Sequence, residues 1–209
     1  MKLYKQKRGD KNNGFQRPIA NCAGEYVTTH KHDEVSTPFY STLLAWIEGS
    51  TLTLNEDNLD EIIFSLGQKV AIFHEASRFF NPTKNFVRPV YSIDSLELAS
   101  HNLKYGIEIG LFNNDQYELM KKVIDKVKDK IKALDERSNA WGIIRSDFQL
   151  GNIIINNDEP SFIDFGLCGY GYYLFDLGSA ATILKSDLRN TFLRGMHLEL
   201  HLLLTIYSI

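Results

Sequence analysis

The sequence predicts an α+β fold. Three observations carry that reading. Between Glu25 and Ile47 two runs rich in β-branched and aromatic residues are separated by one polar stretch. Two later segments place apolar residues at helical spacing. Beyond Trp141, three apolar runs lie too close together in sequence to be joined by helices. At 209 residues the chain is one large domain or one and a half.

Residues 1–20 are polar, with Gly9, Gly14 and Pro18 interrupting any period, and read as loop. Glu25 to Thr29 and Phe39 to Ile47 read as two strands of a hairpin, separated by the turn-like stretch His30 to Pro38 and ended by Glu48-Gly49-Ser50. A capping box, Thr53-Leu54-Asn55-Glu56, precedes a helix whose buried face is Ile62, Leu66, Val70 and Phe73. Asn81, Pro82, Pro89 and scattered aromatics mark the following 25 or so residues as irregular. Met120, Val123, Ile124, Val127, Ile131 and Leu134 form the stripe of a second helix with a Lys, Asp and Glu face, including the Glu118/Lys122 pair. Gly142-Ile143-Ile144, Ile153-Ile154-Ile155 and Ser161-Phe162-Ile163 read as strands of one small ribbon, the last two joined by a turn over Asn156 to Pro160. Phe175 to Leu184 and Asp187 to Leu204 read as helices.

Composition narrows the function. With 44% hydrophobic, 12% aromatic and 23% charged residues the chain is ordinary globular protein, which excludes disorder throughout. A net charge of −3 and a pI of about 6.1 leave no electrostatic footprint for a nucleic-acid binder. Lys2, Lys5, Lys7, Arg8 and Lys11 crowd the N-terminus, where a solvated tail is a simpler reading than a phosphate-binding arm. Cys22 and Cys168 form neither a C-x-x-C pair nor a disulfide framework. No apolar run reaches the ~18 residues of a membrane span, and no signal-peptide h-region is present, which leads to the expectation of a soluble, cytoplasmic protein without nucleic-acid or membrane partners.

The chemistry concentrates between Ile144 and Leu177. Asp147 follows an apolar strand, Asn152 comes five positions later just before the next strand, and Asp164 ends the strand after that and is followed by Phe165-Gly166. An Asp, an Asn and an Asp at successive strand ends are expected to converge on one cleft. Two of these oxygens suit Mg²⁺, which takes carboxylate and carbonyl ligands and keeps its waters. The remaining carboxylate suits the acceptance of a hydroxyl proton. Each acid alone reads as a turn former or cap; the set at this spacing reads as the parts of a phosphoryl-transfer site.

Residues 141–178, including Gly169-Tyr170-Gly171-Tyr172-Tyr173-Leu174-Phe175-Asp176-Leu177-Gly178, resemble the catalytic segment of the aminoglycoside phosphotransferase family. This is the protein-kinase-like group of small-molecule kinases for aminoglycosides, choline and homoserine that also takes in bacterial stress-response kinases. Upstream, Gly24 to Val27, Leu43 to Gly49, Leu66-Gly67 and Phe73 to Ser77 resemble its last N-lobe strands, interlobe hinge and first C-lobe helix. The resemblance implies a partial N-lobe over 18–49 after a polar tail at 1–17, and a mostly helical C-lobe over 50–209 with its catalytic segment at 141–178. It implies ATP and Mg²⁺ as cofactors and a hydroxyl-bearing substrate. Asp147 would be the catalytic base, Asn152 and Asp164 the metal ligands, Asp176 a buried acid supporting the catalytic loop, and the backbone of Ala45, Trp46 and Ile47 the adenine contact.

Two departures qualify the resemblance. The family has a structural His two positions before its catalytic Asp, where this chain has Arg145. A longer, permanently charged side chain there either pairs with Asp164 or Asp176 or disturbs the loop. The Gly-rich loop and the phosphate-binding strand Lys are not found before Gly24, and the chain stops soon after Gly195; Lys69-Val70-Ala71-Ile72 runs in the wrong order and on a helix. These ends lead to the expectation of a truncated or reduced kinase, slow in phosphate transfer, with an open N-lobe strand edge that a protein partner would cover. The alternative is a catalytically inactive kinase-like binding or regulatory module.

Other clusters read as ordinary packing. His74-Glu75 lacks the second His of a zinc helix, and His197 and His201 lack the Glu beside the first His. Tyr170, Tyr172 and Tyr173 read as core beside the metal site rather than as a base-stacking platform.

Overall fold

The computed structural model describes residues 14–84, 86–135 and 140–207. The basic cluster of the N-terminal tail lies outside them. In chain order the elements are β1 (Pro18–Ile19), β2 (Thr28–His32), β3 (Val35–Ser41), β4 (Leu43–Leu44), β5 (Ser50–Thr51), α1 (Leu59–Arg78), β6 (Val90–Tyr91), α2 (Ile93–Glu108), α3 (Asn114–Asp135), β7 (Trp141–Ile144), a 3₁₀ turn (Leu150–Asn152), β8 (Ile153–Asn156), β9 (Glu159–Phe162), β10 (Gly169–Tyr172), α4 (Tyr173–Ile183) and α5 (Ser186–Tyr207). They make the α+β fold expected. The chain divides into two compact units, one of residues 1–69, 149–164 and 190–209, the other of residues 70–148 and 165–189.

In the first unit β5, β8 and β9 form an antiparallel sheet with β8 central. The β8–β9 hairpin turns on Asn157 and Asp158 alone, both at left-handed φ (51° and 61°). Asn and Asp tolerate that region, and the pair matches the right-handed twist of the strands. The expected turn of five residues is therefore two, and Pro160 sits inside an edge strand, where a missing N–H costs no ladder bond. Gly49 precedes β5 at φ 133°, and a Cβ there would run into the Ile155 carbonyl. α1 begins at Leu59, after the Thr53–Glu56 side-chain contact (3.1 Å), so that motif caps a preceding turn rather than the helix itself. Ile62, Ile63 and Leu66 are fully buried. At about 1.5–3 kcal/mol per buried side chain, packing rather than propensity holds this helix. α1 and α5 cross with their backbones touching: a Cβ on Gly67 would run into the Phe192 carbonyl, and one on Gly195 into that of Phe64.

The N-terminal hairpin differs from expectation in register. β2 and β3 pair Thr28 with Ser41 and His30 with Phe39, around a turn at Asp33-Glu34. His30, Lys31 and His32 are strand residues, because every residue of β3 is exposed and the ribbon has no buried face to demand alternation. His30 stacks on Phe39 at 5.1 Å instead. Pro18–Ile19, read as loop, pairs with Leu43–Leu44.

In the second unit β6, β10 and β7 form a sheet with β10 central, parallel to β6 and antiparallel to β7. The single ribbon expected beyond Trp141 is thus two sheets: β7 joins β10, whereas β8 and β9 join β5. Gly142 and Gly171 allow close approach, since a Cβ would meet the Tyr173 hydroxyl in one case and the Ile144 side chain in the other. Among the described residues, the segment expected to be irregular is so up to Ser92 apart from the two residues of β6, and α2 takes its later part. Leu98 and Tyr105 of this helix are exposed, and it is held to α3 in part by the Glu97–Lys128 pair at 2.8 Å. α3 follows the expected stripe, although Val123 and Val127 remain exposed.

Candidate active site

The second unit fixes Asp147 through its predecessors. β7 ends at Ile144, and the backbone then leaves the sheet through Ser146 at φ 60°, a left-handed conformation costing about 1–2 kcal/mol for a non-glycine residue. One buried carboxylate stabilises the excursion. Asp176, only 1% exposed in the first turn of α4, accepts the backbone N–H of Arg145 (2.9 Å) and that of Ser146 (2.8 Å). His74 of α1 donates to the same carboxylate from Nε2 at 2.8 Å. A buried anion needs several donors, and here they come from two backbone amides and one imidazole. The His74 ring stacks on Tyr173 at 4.5 Å, whose hydroxyl lies 2.9 Å from Ser77 Oγ. Burial pushes the Tyr173 phenol up from its ordinary pKa, and the Ser77 contact offsets this in part.

Arg145 is 3% exposed. Its backbone N–H meets Asp176, its guanidinium donates to the Asp147 carbonyl, and it lies 5.5 Å from the centroid of the Phe165 ring. The charged side chain in the place of the family His therefore braces the turn that carries Asp147. Ser146 Oγ lies 2.6 Å from the Leu167 carbonyl and 3.1 Å from the Tyr91 hydroxyl. Asp147 itself is half-buried.

The first unit places Asn152 and Asp164. Asn152 closes the 3₁₀ turn directly before β8, and Asp164 follows β9. Pairing of Ile153 with Phe162, extended by the Ile163 N–H on the Asn152 carbonyl (3.0 Å), brings these two positions together. Asp164 is exposed and left-handed at φ 54°. Asp tolerates that region better than most residues, and non-glycine residues held there cluster at functional sites. Among the described residues no group of three or more His, Cys, Asp and Glu could hold a metal. An amide and a carboxylate fit an ion that prefers oxygen and keeps most of its waters, which is the coordination habit of Mg²⁺.

The segment Ala45 to Ile47 continues the β1–β4 pairing. The Ala45 N–H donates to the Arg17 carbonyl (2.8 Å), and the Ala45 carbonyl accepts from Gln16 Nε2 (3.2 Å). Trp46 is 81% exposed and Ile47 half-buried.

The expected packing roles are found at His74-Glu75 and at the tyrosines, but not at His197. His74 packs on Asp176, and Glu75 pairs with Arg78 at 2.8 Å, away from any zinc arrangement. His197 is exposed, and the side chain of His201 lies outside the described residues. Tyr172 is buried edge-on against Trp141 at 4.7 Å, and Tyr170 packs edge-on against Phe86.

Sequence reasoning missed His74 as a partner of Asp176, and it missed Arg88 and Tyr91 altogether. For His74 a signal existed, since an Asp inside the apolar run Tyr172 to Leu177 implies a buried acid in need of a donor. Arg88 and Tyr91 lie in an aperiodic stretch that offers none.

Residues 15–201 match the phosphotransferase enzyme family. No protein of curated function matches the chain. Among solved structures it is similar to an amicoumacin kinase in complex with AMP-PNP, Ca²⁺ and Ami (TM-score 0.67, 16% identity, 90% of this chain and 56% of that one). It is similar also to a choline kinase from Cryptosporidium parvum (TM-score 0.61, 12% identity, 91% and 58%). A spectinomycin phosphotransferase in complex with ADP and spectinomycin is a third (TM-score 0.57, 16% identity, 93% and 61%). The chain thus spans less than two thirds of the length of these proteins, and the likeness extends to the fold.

Proposed function

Because the chain belongs to the phosphotransferase enzyme family, we propose that it carries the phosphate-transfer machinery of an ATP- and Mg²⁺-dependent kinase acting on a hydroxyl of a small molecule. The observation that carries this reading is the arrangement around Asp176. A carboxylate buried to 1% exposure holds the two residues before Asp147, one of them in a strained conformation. That arrangement restricts a loop at a cost in stability, as preorganisation of a reacting group requires.

In this reading Asp147 orients the acceptor hydroxyl and receives its proton on a carboxylate oxygen as the hydroxyl oxygen attacks the γ-phosphorus of ATP, whose bond to the β,γ-bridging oxygen breaks to release ADP. Asn152 and Asp164 hold Mg²⁺, which when bound neutralises phosphate charge. Arg145 and Asp176 act on the loop and not on substrate. The adenine meets the backbone of Trp46 and Ile47, since the Ala45 N–H is already committed to Arg17. Residues 18–49 supply N-lobe strands and the hinge, and residues 50–209 the C-lobe. No helix among the described residues is long and apolar enough to cross a membrane, in keeping with a cytoplasmic enzyme.

A second reading, an inactive kinase-like binding or regulatory module, is favoured by one observation: the committed Ala45 N–H and the 81% exposed Trp46 leave little hinge for a nucleotide. Titration with Mg²⁺-ATP and steady-state assay against a panel of hydroxyl acceptors, with Asp147→Ala beside the parent, separates the two. The kinase reading expects nucleotide binding and a turnover abolished by the substitution. Turnover indifferent to Asp147, or no nucleotide binding, refutes it.

A further inference from the structure

The link between α1 and α2 has almost no regular structure, yet two of its side chains take hold of four consecutive carbonyls. Arg88 donates from Nε to the Cys168 carbonyl (2.7 Å) and from Nη2 to those of Phe165 (2.5 Å) and Gly166 (3.1 Å). Tyr91 donates to the Leu167 carbonyl between them (2.7 Å). Two residues on, the Tyr170 N–H closes onto the Pro89 carbonyl at 2.8 Å, where β10 begins to pair with β6. Phe165 to Cys168 lie between strands and have no ladder of their own. Backbone carbonyls that converge in this way need a cation or a set of donors. A planar guanidinium with five fixed N–H groups satisfies three acceptors at once, which an ammonium on a flexible stem does not match in geometry.

We propose that Arg88 is a positioning residue for the metal-binding segment: it fixes the path of Phe165 to Cys168 and thereby the backbone of Asp164, the next residue toward the N-terminus. The inference rests on the reading of Asp164 as a metal ligand. The role needs the guanidinium fork and not only a positive charge. Tyr91 and Ser146 extend the same brace to the Asp147 loop, because both reach the Leu167 carbonyl.

The test compares the parent chain with Arg88→Ala, Arg88→Lys and Asp164→Ala by two measurements. Amide hydrogen exchange of a peptide spanning residues 162–172 reports the brace, with a peptide from α3 as internal reference. Mn²⁺ titration, followed by loss of the free-ion electron paramagnetic signal, reports the metal site without turnover. Arg88→Ala is expected to speed exchange in Phe165 to Cys168 and to weaken Mn²⁺ binding about tenfold, the scale of an outer-shell contact to a metal ligand. Arg88→Lys, the variant that carries the test should Ala fail to fold, is expected to keep the charge and recover only part of both. Unchanged exchange in Arg88→Ala overturns the inference. So does faster exchange with parental Mn²⁺ affinity while Asp164→Ala binds poorly, which would make Arg88 a fastening of the loop alone. If Asp164→Ala binds Mn²⁺ like the parent, the metal reading of Asp164 fails and the reach of Arg88 to the metal fails with it; the exchange data then tell that failure from a failure of the brace.

Discussion

Replacing Asp176 by Ala removes the acceptor for three donors in a site that is 1% exposed. The two backbone N–H groups cannot turn away without abandoning the β7 exit, and the His74 imidazole is clamped by its stack on Tyr173. Unsatisfied buried donors cost about 1–3 kcal/mol each, and breaking a buried charge-bearing contact about 3–5 kcal/mol. A loss of about 4 kcal/mol is therefore expected, a large share of the ~5–15 kcal/mol that holds an ordinary domain together. For a chain of this size the midpoint should fall by about 8–16 °C. Urea unfolding at pH 7, followed by circular dichroism, measures the loss. A double-mutant cycle with His74→Ala apportions it, with an expected coupling of about 1.5–3 kcal/mol for a charge-assisted hydrogen bond. A loss below about 1 kcal/mol, or additivity within about 0.5 kcal/mol, would refute the claim that this carboxylate organises the loop.

Two further expectations concern packing and thiol chemistry. Gly67→Ala and Gly195→Ala each force the crossing of α1 and α5 apart and should cost about 1–3 kcal/mol by thermal unfolding, although Ala is the better helix former; a rise in midpoint for either would show that the helices separate freely. Burial pushes the Cys168 thiol up against the lowering effect of Arg88, so at pH 8 its thiolate is scarce, whereas Cys22 is exposed. Iodoacetamide followed by mass spectrometry should modify Cys22 well before Cys168, and equal rates would contradict the burial.

Legibility in the sequence followed the strength of each local signal. The Ile153–Ile155 run, the Ile62/Leu66/Val70 face and the α3 stripe were readable because burial on one side imposes a period. The β2–β3 register was not, because an exposed ribbon imposes none. One ribbon was expected where two sheets form, because β7 finds its partner in β10 across the intervening β8–β9 hairpin, and pairing across such a gap leaves no trace in spacing. Asp147, Asn152 and Asp164 were named from motif alone, and Asp176 from resemblance. The groups that hold these positions, His74, Arg88 and Tyr91, act through hydrogen bonds to carboxylate or carbonyl oxygens and carry no pattern of their own.

The strand order β6-β10-β7 also bears on how the chain is made. Its middle strand is the last of the three to leave the ribosome. About 80 residues separate Tyr91 from its partner Gly171, roughly 4–16 s of translation at typical speed. Throughout that interval β6 lacks its strand partner, and β7, complete only at Ile144, lacks its own until β10 is made. The other unit waits longer still, because Gly195, where α5 meets the Phe64 carbonyl, is among its last described parts to be synthesised. Neither unit can therefore close before these late parts are made. A ribosome stalled before Gly169 would hold a substrate for chaperones and proteases rather than half of a folded protein.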